Sequence, residues 1–487
     1  MATALLLFGL GALAGLGQAP FDLWPVAVLA FSAIFYVMRR AGFWQAWWIG
    51  FGYFALVLHW IIEPFLVDIA RHGWMAPFAL LLLSGGLALF WAAAGWSAAR
   101  LTWTGVWRSF AFALALVVAE YLRANILTGF PWGLPAYSLS ASGLLPIAGT
   151  WGPHGVGAIL LVFCAGLAIL VQGARALGVA VCAAAICFVV GGVAQIAPLA
   201  APDKTATIRI IQPNAPQNEK WQRDKAQIFL DRQLDYTAAD TPADLVLWPE
   251  TAVAFSITDV APLAAQAARG GTVIFGAQRF SDSRFYNALV TVGQGGEIAE
   301  IYDKHHLVPF GEYIPLGNQL GKWGIRGLAE NDGGGFARGD VPKPQIIDGI
   351  GPVLAMICYE SIFPRYSSVS RSLNADMRPN LIVVATNDAW FGQFAGPQQH
   401  LQQAQWRAAE QGVPVARSAN TGISAMIDAR GSITGSLAMN TAGFFDTALP
   451  PSGPPGLYAQ RALFVDLGLV ALCLFGLFIL SRKKRIQ

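Results

Sequence analysis

Three apolar runs in this chain each end on a side chain able to do chemistry. ADLVLWPET delivers Glu250, EIAEIYDKHHLVPFGEYIP delivers Lys304 and then Glu312, and GPVLAMICYE delivers Cys358. A thiol attacks as its thiolate, so it needs a base to take its proton or a cation to lower its pKa. A carboxylate, an ammonium and a thiol brought together form a complete set for covalent catalysis. Each also has a plain alternative. Cys358 can be a small buried hydrophobe, Glu250 a solvated turn residue after Trp248-Pro249, and Lys304 an ordinary surface lysine. Histidine is the usual thiol partner. Of the six, His59, His72 and His154 belong to the apolar N-terminal part, and His305, His306 and His400 show no telling spacing to Cys358.

The elements that must position these residues are short, β-branched and apolar. TIRIIQPN, ADLVLWPET, TVIFGAQRF, FYNALVTVG, GPVLAMICYE and NLIVVATND read as strands ending in polar turns, and VPVARSANTGISAMID as two more joined by a turn. Helical patterns lie between them, at 220–238 and 397–411 among others. Continuous apolar strands alternating with helices predict an α/β domain whose sheets are covered by helices. In such sheets the strand ends and following loops form the ligand crevice, where the three groups would meet. The domain is expected at 203–455, after the linker LAAPDK and before the Pro-rich LPPSGPPG. Cys358 is its only cysteine; Cys164, Cys182, Cys187 and Cys473 fall in apolar runs outside it.

The rest of the chain is a membrane sequence. With 55% hydrophobic residues, 13% charged and a mean hydropathy of +0.48, the 487 residues are too apolar for an ordinary soluble protein. A membrane helix needs roughly 20 apolar residues. Eight such helices are predicted, near 2–17, 21–38, 44–66, 75–99, 106–124, 154–172, 177–196 and 462–481. The first is short, and losing it would invert the topology. Residues 1–200 thus form a membrane domain, and 460–487 a final helix with the basic tail SRKKRIQ. Arg39, Arg40, Arg100, Arg108, Arg175, Arg482, Lys483, Lys484 and Arg485 fall on one side; the opposite short loops hold Arg71 and Arg123. That bias places both termini in the cytoplasm and 203–455 outside it. The net charge of +3 is largely this anchoring charge and gives no reason to expect a nucleic-acid partner. Glu63, Asp68 and Glu120 near helix ends read as interfacial or structural. In TGFPWGLPAYS, 128–138, Trp132 and Tyr137 suit a membrane–water interface, as a rigid loop or part of a lipid entry point.

WPET, YDKHHLVPFGEYIP and ICYE, in this order, resemble the Glu–Lys–Cys signature of the nitrilase superfamily. The eight-helix frame, GFPW at 129–132, NDAWFG at 387–392, GPQQH at 396–400 and RSANTGIS at 417–424 narrow the resemblance. It is to the membrane-anchored branch, the bacterial apolipoprotein N-acyltransferases, and it covers nearly the whole chain. The resemblance implies an αββα sandwich and a thioester intermediate. Carried onto these positions, Cys358 is the nucleophile, Glu250 the general base, and Lys304 the oxyanion stabiliser together with the backbone N–H of Tyr359. Glu312 supports the lysine, and Tyr359 and Glu360 match positions needed beside the cysteine. Trp221, in QNEKW, matches a tryptophan on a mobile loop at the substrate entrance. Asn387 matches the site floor, and Arg338, in FARGD, an arginine outside the triad. The stretch 321–335 matches no motif.

The implied reaction takes the sn-1 acyl chain of a phospholipid, typically phosphatidylethanolamine. It passes that chain to the α-amine of an S-diacylglyceryl-cysteine at an apolipoprotein N-terminus, in ping-pong order, in the bacterial inner membrane. No metal or organic cofactor is expected, and a monomer is. Two rival readings remain. A membrane-anchored amidohydrolase or nitrilase would use the same triad with water as acceptor, since fold does not fix function. A transporter or scaffold would have an inert outer domain, but the predicted membrane helices lack paired charges at mid-depth.

Overall fold

The computed structural model describes residues 1–199, 206–315, 335–364 and 378–486. Residues 321–334 of the unmatched stretch and 200–204 of the linker lie outside the described residues. The chain divides into two units: residues 1–197, 394–402 and 455–487, and residues 198–393 and 403–454.

The first unit is helical. Its main helices are α1 (Ala2–Gly15), α2 (Trp24–Met38), α3 (Phe43–Val57), α4 (Ala76–Leu101), α5 (Val106–Asn125), α6 (Ala148–Val171) and α7 (Arg175–Ala194), with a last helix at Leu457–Ile486. Every predicted apolar run therefore holds a helix. Among the described residues, four stretches are long and apolar enough to cross a membrane: Ile69–Leu101, Leu145–Val171, Arg175–Ala194 and Leu457–Arg482. A fifth is added if Phe43–Val57 and His59–Leu66, bent by 66°, are one span. Helices α1 and α2, of 14 and 15 residues, are apolar but short. At about 1.5 Å per residue they fall below the roughly 30 Å hydrocarbon core. Helix α5 is long enough but carries Arg108, Glu120 and Arg123.

Glu120 and Arg123 are both buried, and they pair at 2.6 Å near the end of α5. The Trp91 Nε1–H donates to the same carboxylate at 2.8 Å. The guanidinium also donates to the carbonyls of Phe130 and Trp132. That bond set draws the 128–138 segment inward. Trp132 and Tyr137 of this segment are enclosed by protein, at 1% and 0% exposure. The Trp132 indole donates to Gln399 Oε1 at 2.6 Å, and Gln399 Nε2 donates to the carbonyls of Ala19 and Val57.

The second unit contains two six-stranded mixed sheets. Along the chain run β1 (Thr207–Gln212), α8 (Arg223–Ala238), β2 (Leu245–Leu247), α9 (Ile257–Ala268), β3 (Thr272–Ser281), β4 (Arg284–Val292) and β5 (Ile298–Asp303). Then come β6 (Gln345–Ile347), β7 (Gly351–Ile357), β8 (Leu381–Thr386), α10 (Gly396–Gln411, of which residues from Gln403 on belong to this unit), β9 (Val415–Ala419), β10 (Ser424–Ile427), β11 (Ile433–Leu437) and β12 (Gly443–Ala448). The sheet orders are β12-β1-β2-β3-β4-β5 and β11-β10-β9-β8-β7-β6. Pairs β1–β2, β2–β3, β7–β8 and β8–β9 are parallel. The central strands read as unbroken apolar runs because both faces are covered. Ile208, Ile210, Leu245 and Leu247 of one sheet pack with Val353, Ala355, Leu381 and Val383 of the other. On the outer face of the first sheet, Val246, Trp248 and Phe275 pack with Leu230 of α8 and Val260 and Ala264 of α9.

Strands β6, β11 and β12 carry no clear apolar periodicity, whereas helix α9 buries one face, Val260, Ala261, Ala264, Ala265 and Ala268, at helical spacing. Edge strand β12 is fixed by a distant partner: Arg209 in β1 lies opposite Asp446 and pairs with it at 2.6 Å.

Candidate active site

The site is built at strand ends of the second unit. Glu250 follows β2 by three residues, Lys304 follows β5 directly, Cys358 follows β7 directly and Asn387 follows β8 directly. Gly276 of β3 makes room for the Glu250 turn. A Cβ there would collide with the Pro249 carbonyl and the Thr251 amide, while the glycine's own N–H donates to Pro249 O at 3.1 Å.

Lys304, Glu250 and Glu312 form one buried cluster. The lysine Nζ lies 2.9 Å from Glu312 Oε1 and 3.5 Å from Glu250 Oε1. Burial works against its charge, but the Glu312 and Glu250 carboxylates outweigh it and hold its pKa above the ordinary lysine value. It is therefore a fixed cation. Asn287, in the middle of β4, ties the cluster together: its Nδ2 donates to Glu250 Oε1 at 2.7 Å and to Glu312 Oε1 at 3.1 Å. The remaining carboxylate oxygens take backbone donors, Asn387 N–H on Glu250 Oε2 at 2.9 Å and Val308 N–H on Glu312 Oε2 at 2.8 Å.

Cys358 opens a 3₁₀ turn, Cys358–Ile362, with a left-handed backbone at φ 48°. A side chain in that region costs on the order of 1–2 kcal/mol, so the surroundings must hold it. Glu360 does much of the holding. It is fully buried; Oε2 accepts the Ile357 N–H at 2.8 Å, and Oε1 accepts from Tyr302 OH, His305 N–H and His306 N–H at 2.6, 2.8 and 3.0 Å. Ser361 Oγ donates to the Cys358 carbonyl at 2.8 Å, and Arg407 of α10 donates to the Ile362 carbonyl at 2.8 Å. Burial pushes the Cys358 thiol pKa up, and the Glu250 carboxylate pushes it further against the pull of Lys304. The resting group is a neutral thiol that feels both charges.

Glu312, Asn387, Tyr359 and Glu360 all join this arrangement. The Tyr359 ring is buried and meets Phe363 edge-on at 5.2 Å. Asn387 also spans outward: Nδ2 donates to Gln217 Oε1 at 2.8 Å, and Oδ1 accepts from Asn420 at 3.1 Å. Trp221 is 44% exposed and lines a recess with Lys220, Thr251 and Asn420. Arg338 is exposed and donates to His305 Nε2 at 2.6 Å, one residue from Lys304. No contact joins Arg338 to Glu250 or Cys358 among the described residues.

Sequence reasoning did not find Asn287, Lys220 or Gln217. A lone asparagine inside FYNALVTVG was the one available signal for the first, since a polar side chain within an apolar strand needs a partner.

Two family models match the chain. Residues 10–166 match the apolipoprotein N-acyltransferase N-terminal domain, and residues 192–452 match carbon-nitrogen hydrolase. The apolipoprotein N-acyltransferase of Caulobacter vibrioides is 34% identical, over 97% of this chain and 93% of its own length. That of Rhodopseudomonas palustris is 34% identical, over 97% and 94%. That of Rhizobium meliloti is 36% identical, over 91% and 89%. Among solved structures, a CN-hydrolase superfamily protein from Xanthomonas campestris is 18% identical, with a TM-score of 0.39 over 54% of this chain and 97% of its own. The first two relatives align over almost their full length with both units, so the chain belongs to the apolipoprotein N-acyltransferase family.

Proposed function

We propose that this protein moves an acyl chain from the sn-1 position of a phospholipid to the α-amine of an S-diacylglyceryl-cysteine at an apolipoprotein N-terminus, through a thioester on Cys358. The observation that carries the reading is the buried Lys304 cation between the Glu312 and Glu250 carboxylates, built at strand ends of the unit whose β7 ends at Cys358.

In the first step Glu250 takes the thiol proton and Sγ attacks the ester carbonyl. Lys304 and the Tyr359 N–H meet the negative charge that develops on the carbonyl oxygen. A fixed ammonium there is strongly stabilising, and losing one such donor typically costs about 3–4 kcal/mol. The C–O bond breaks, Glu250 returns its proton to the glyceryl oxygen, and a lysophospholipid leaves. In the second step the neutral α-amine attacks the thioester carbonyl. Glu250 accepts the amine proton, the C–S bond breaks, and the proton returns to the sulfur. No electron is exchanged.

The membrane unit belongs to the same proposal. Eight spans with both termini cytoplasmic would put the second unit on the periplasmic face of the inner membrane. Helices in all eight apolar runs support this, as does the one-sided distribution of Lys and Arg. Arg123 is neutralised by Glu120 inside α5, which leaves Arg71 as the opposing short-loop cation. Keeping two lipid substrates in the bilayer avoids exposing their chains, at about 0.8 kcal/mol per CH₂.

The test is a partial reaction. Phosphatidylethanolamine alone should add one acyl chain to the intact protein by mass spectrometry, and neutral hydroxylamine should remove it. A peptide with an S-diacylglyceryl-cysteine and a free α-amine should take the chain; the same peptide acetylated should not. Rapid loss of the chain to water, independent of peptide, would support the amidohydrolase reading instead.

A further inference from the structure

Lys220 is a buried lysine that the two-step chemistry above does not use. It closes a turn after β1, with its N–H donating to the Pro216 carbonyl at 3.0 Å. Its Nζ lies 5.2 Å from the Trp221 ring centroid and has no carboxylate within ion-pair distance among the described residues. Burying a cation without a counter-ion is costly, so a position that keeps one has a use for its charge.

The lysine lines a recess together with Pro213, Ala215, Trp221, Thr251 and Asn420. Two features place that recess against the reacting centre. Thr251 directly follows Glu250. Asn420 bonds Asn387, whose N–H holds the Glu250 carboxylate. The loop is also pinned there: Asn420 exchanges hydrogen bonds with the main chain of Ala215 at 2.9 and 2.7 Å, and Gln217 accepts from Asn387. Lys220 is thus held one short segment from the base, in a pocket with an exposed tryptophan on its rim. Burial lowers its pKa to about 8, against the pull of Glu250, so the site remains cationic at neutral pH but only just.

We propose that Lys220 binds the phosphodiester of the acyl-donor phospholipid and so aligns the sn-1 ester with Cys358. This rests on the phospholipid reading of the donor. An ammonium is a compact phosphate ligand, and every glycerophospholipid carries a phosphodiester a few bonds from its sn-1 ester. The donor would then be chosen by its phosphate rather than by the group beyond it.

The test compares two acyl donors on the full-length protein: dioleoyl phosphatidylethanolamine and the phosphate-free ester p-nitrophenyl palmitate. Acyl-enzyme formation is followed by intact mass. Lys220→Met should lower kcat/KM for the phospholipid by about tenfold or more, the scale of a lost charged hydrogen bond, mainly through KM. It should change the phosphate-free ester by less than about twofold, which also shows that the variant is folded. Lys220→Arg should restore much of the phospholipid rate. Equal losses with both donors would mean that Lys220 serves Glu250 or the fold, and no loss with either would mean that it serves neither; both overturn the proposal. If the wild-type protein accepts the ester but never the phospholipid, the donor reading itself fails and the proposal with it.

Discussion

The Glu360 carboxylate accepts the Ile357 N–H at 2.8 Å, closing a ring of side chain and main chain that contains Cys358. This ring fixes the left-handed backbone at Cys358, and the opposite carboxylate oxygen is fixed by three donors from Tyr302, His305 and His306. Glu360→Gln keeps the shape but turns an NH₂ toward backbone N–H groups in either orientation. Acyl-enzyme formation should fall by about tenfold or more, and the thermal midpoint should drop by a few degrees. An unchanged rate would show that the Cys358 conformation does not depend on this ring.

Asn287 shares its two amide hydrogens between Glu250 and Glu312. Asn287→Ala leaves both buried carboxylates short of a donor, and a lost hydrogen bond to a charged group is worth about 1.5–3 kcal/mol. Acylation should slow by roughly 10- to 100-fold with the protein still folded. Asn287→Asp, which adds a third carboxylate beside the first two, should be slower still. Near wild-type acylation in Asn287→Asp would sink the idea that this amide orders the pair.

What could be read from the sequence follows from how each residue is presented. Glu250, Cys358 and Asn387 each stand at the end of an unbroken apolar run, where period and composition change together, and Lys304 directly follows the mixed strand IAEIYD. Asn287 stands mid-strand, where a lone polar residue signals a partner without naming it; the partner carboxylates come from two other segments. Lys220 lies in the polar run QNEKWQRD and reads as surface, because its burial is supplied by residues from Pro213 to Asn420. Helix α9 runs unbroken through Pro262, a residue that in sequence reads as a helix stop, and β12 is a strand only because it lies along β1, far away in sequence. In the membrane unit, apolar runs mark helices well. They do not report that Trp132 and Tyr137 are enclosed, which is decided by Arg123 capturing the loop carbonyls.

Arg123 therefore carries a stability prediction. Arg123→Met leaves Glu120 buried beside Trp91 without its counter-charge and releases the Phe130 and Trp132 carbonyls. Breaking a buried pair from one side costs about 3–5 kcal/mol. Thermal unfolding in detergent micelles should show a marked loss. Glu120→Gln/Arg123→Met, which removes both charges, should recover part of it. A single variant as stable as wild type would mean that water reaches this pair.

The thiol of Cys358 offers a test of sign. Burial raises its pKa, Glu250 raises it further and Lys304 lowers it, so at neutral pH the group is a protonated thiol. Below its pKa the thiolate fraction grows about tenfold per pH unit. Iodoacetamide alkylation of Cys358 should therefore climb from about pH 7 to about pH 9 without a plateau. Peptide mass spectrometry would score it separately from the exposed Cys187. Glu250→Gln removes the raising charge, so alkylation at a given pH should become faster. Acyl transfer by the same variant should nevertheless collapse, by roughly 100-fold or more, because no base remains to carry the proton. Lys304→Met removes the lowering charge, so alkylation and acyl transfer should both slow. The two variants thus move alkylation in opposite directions and acyl transfer in the same one. If Glu250→Gln slowed alkylation, the electrostatic account of this thiol would be wrong, and Glu250 would have to deprotonate it even for a small soluble electrophile.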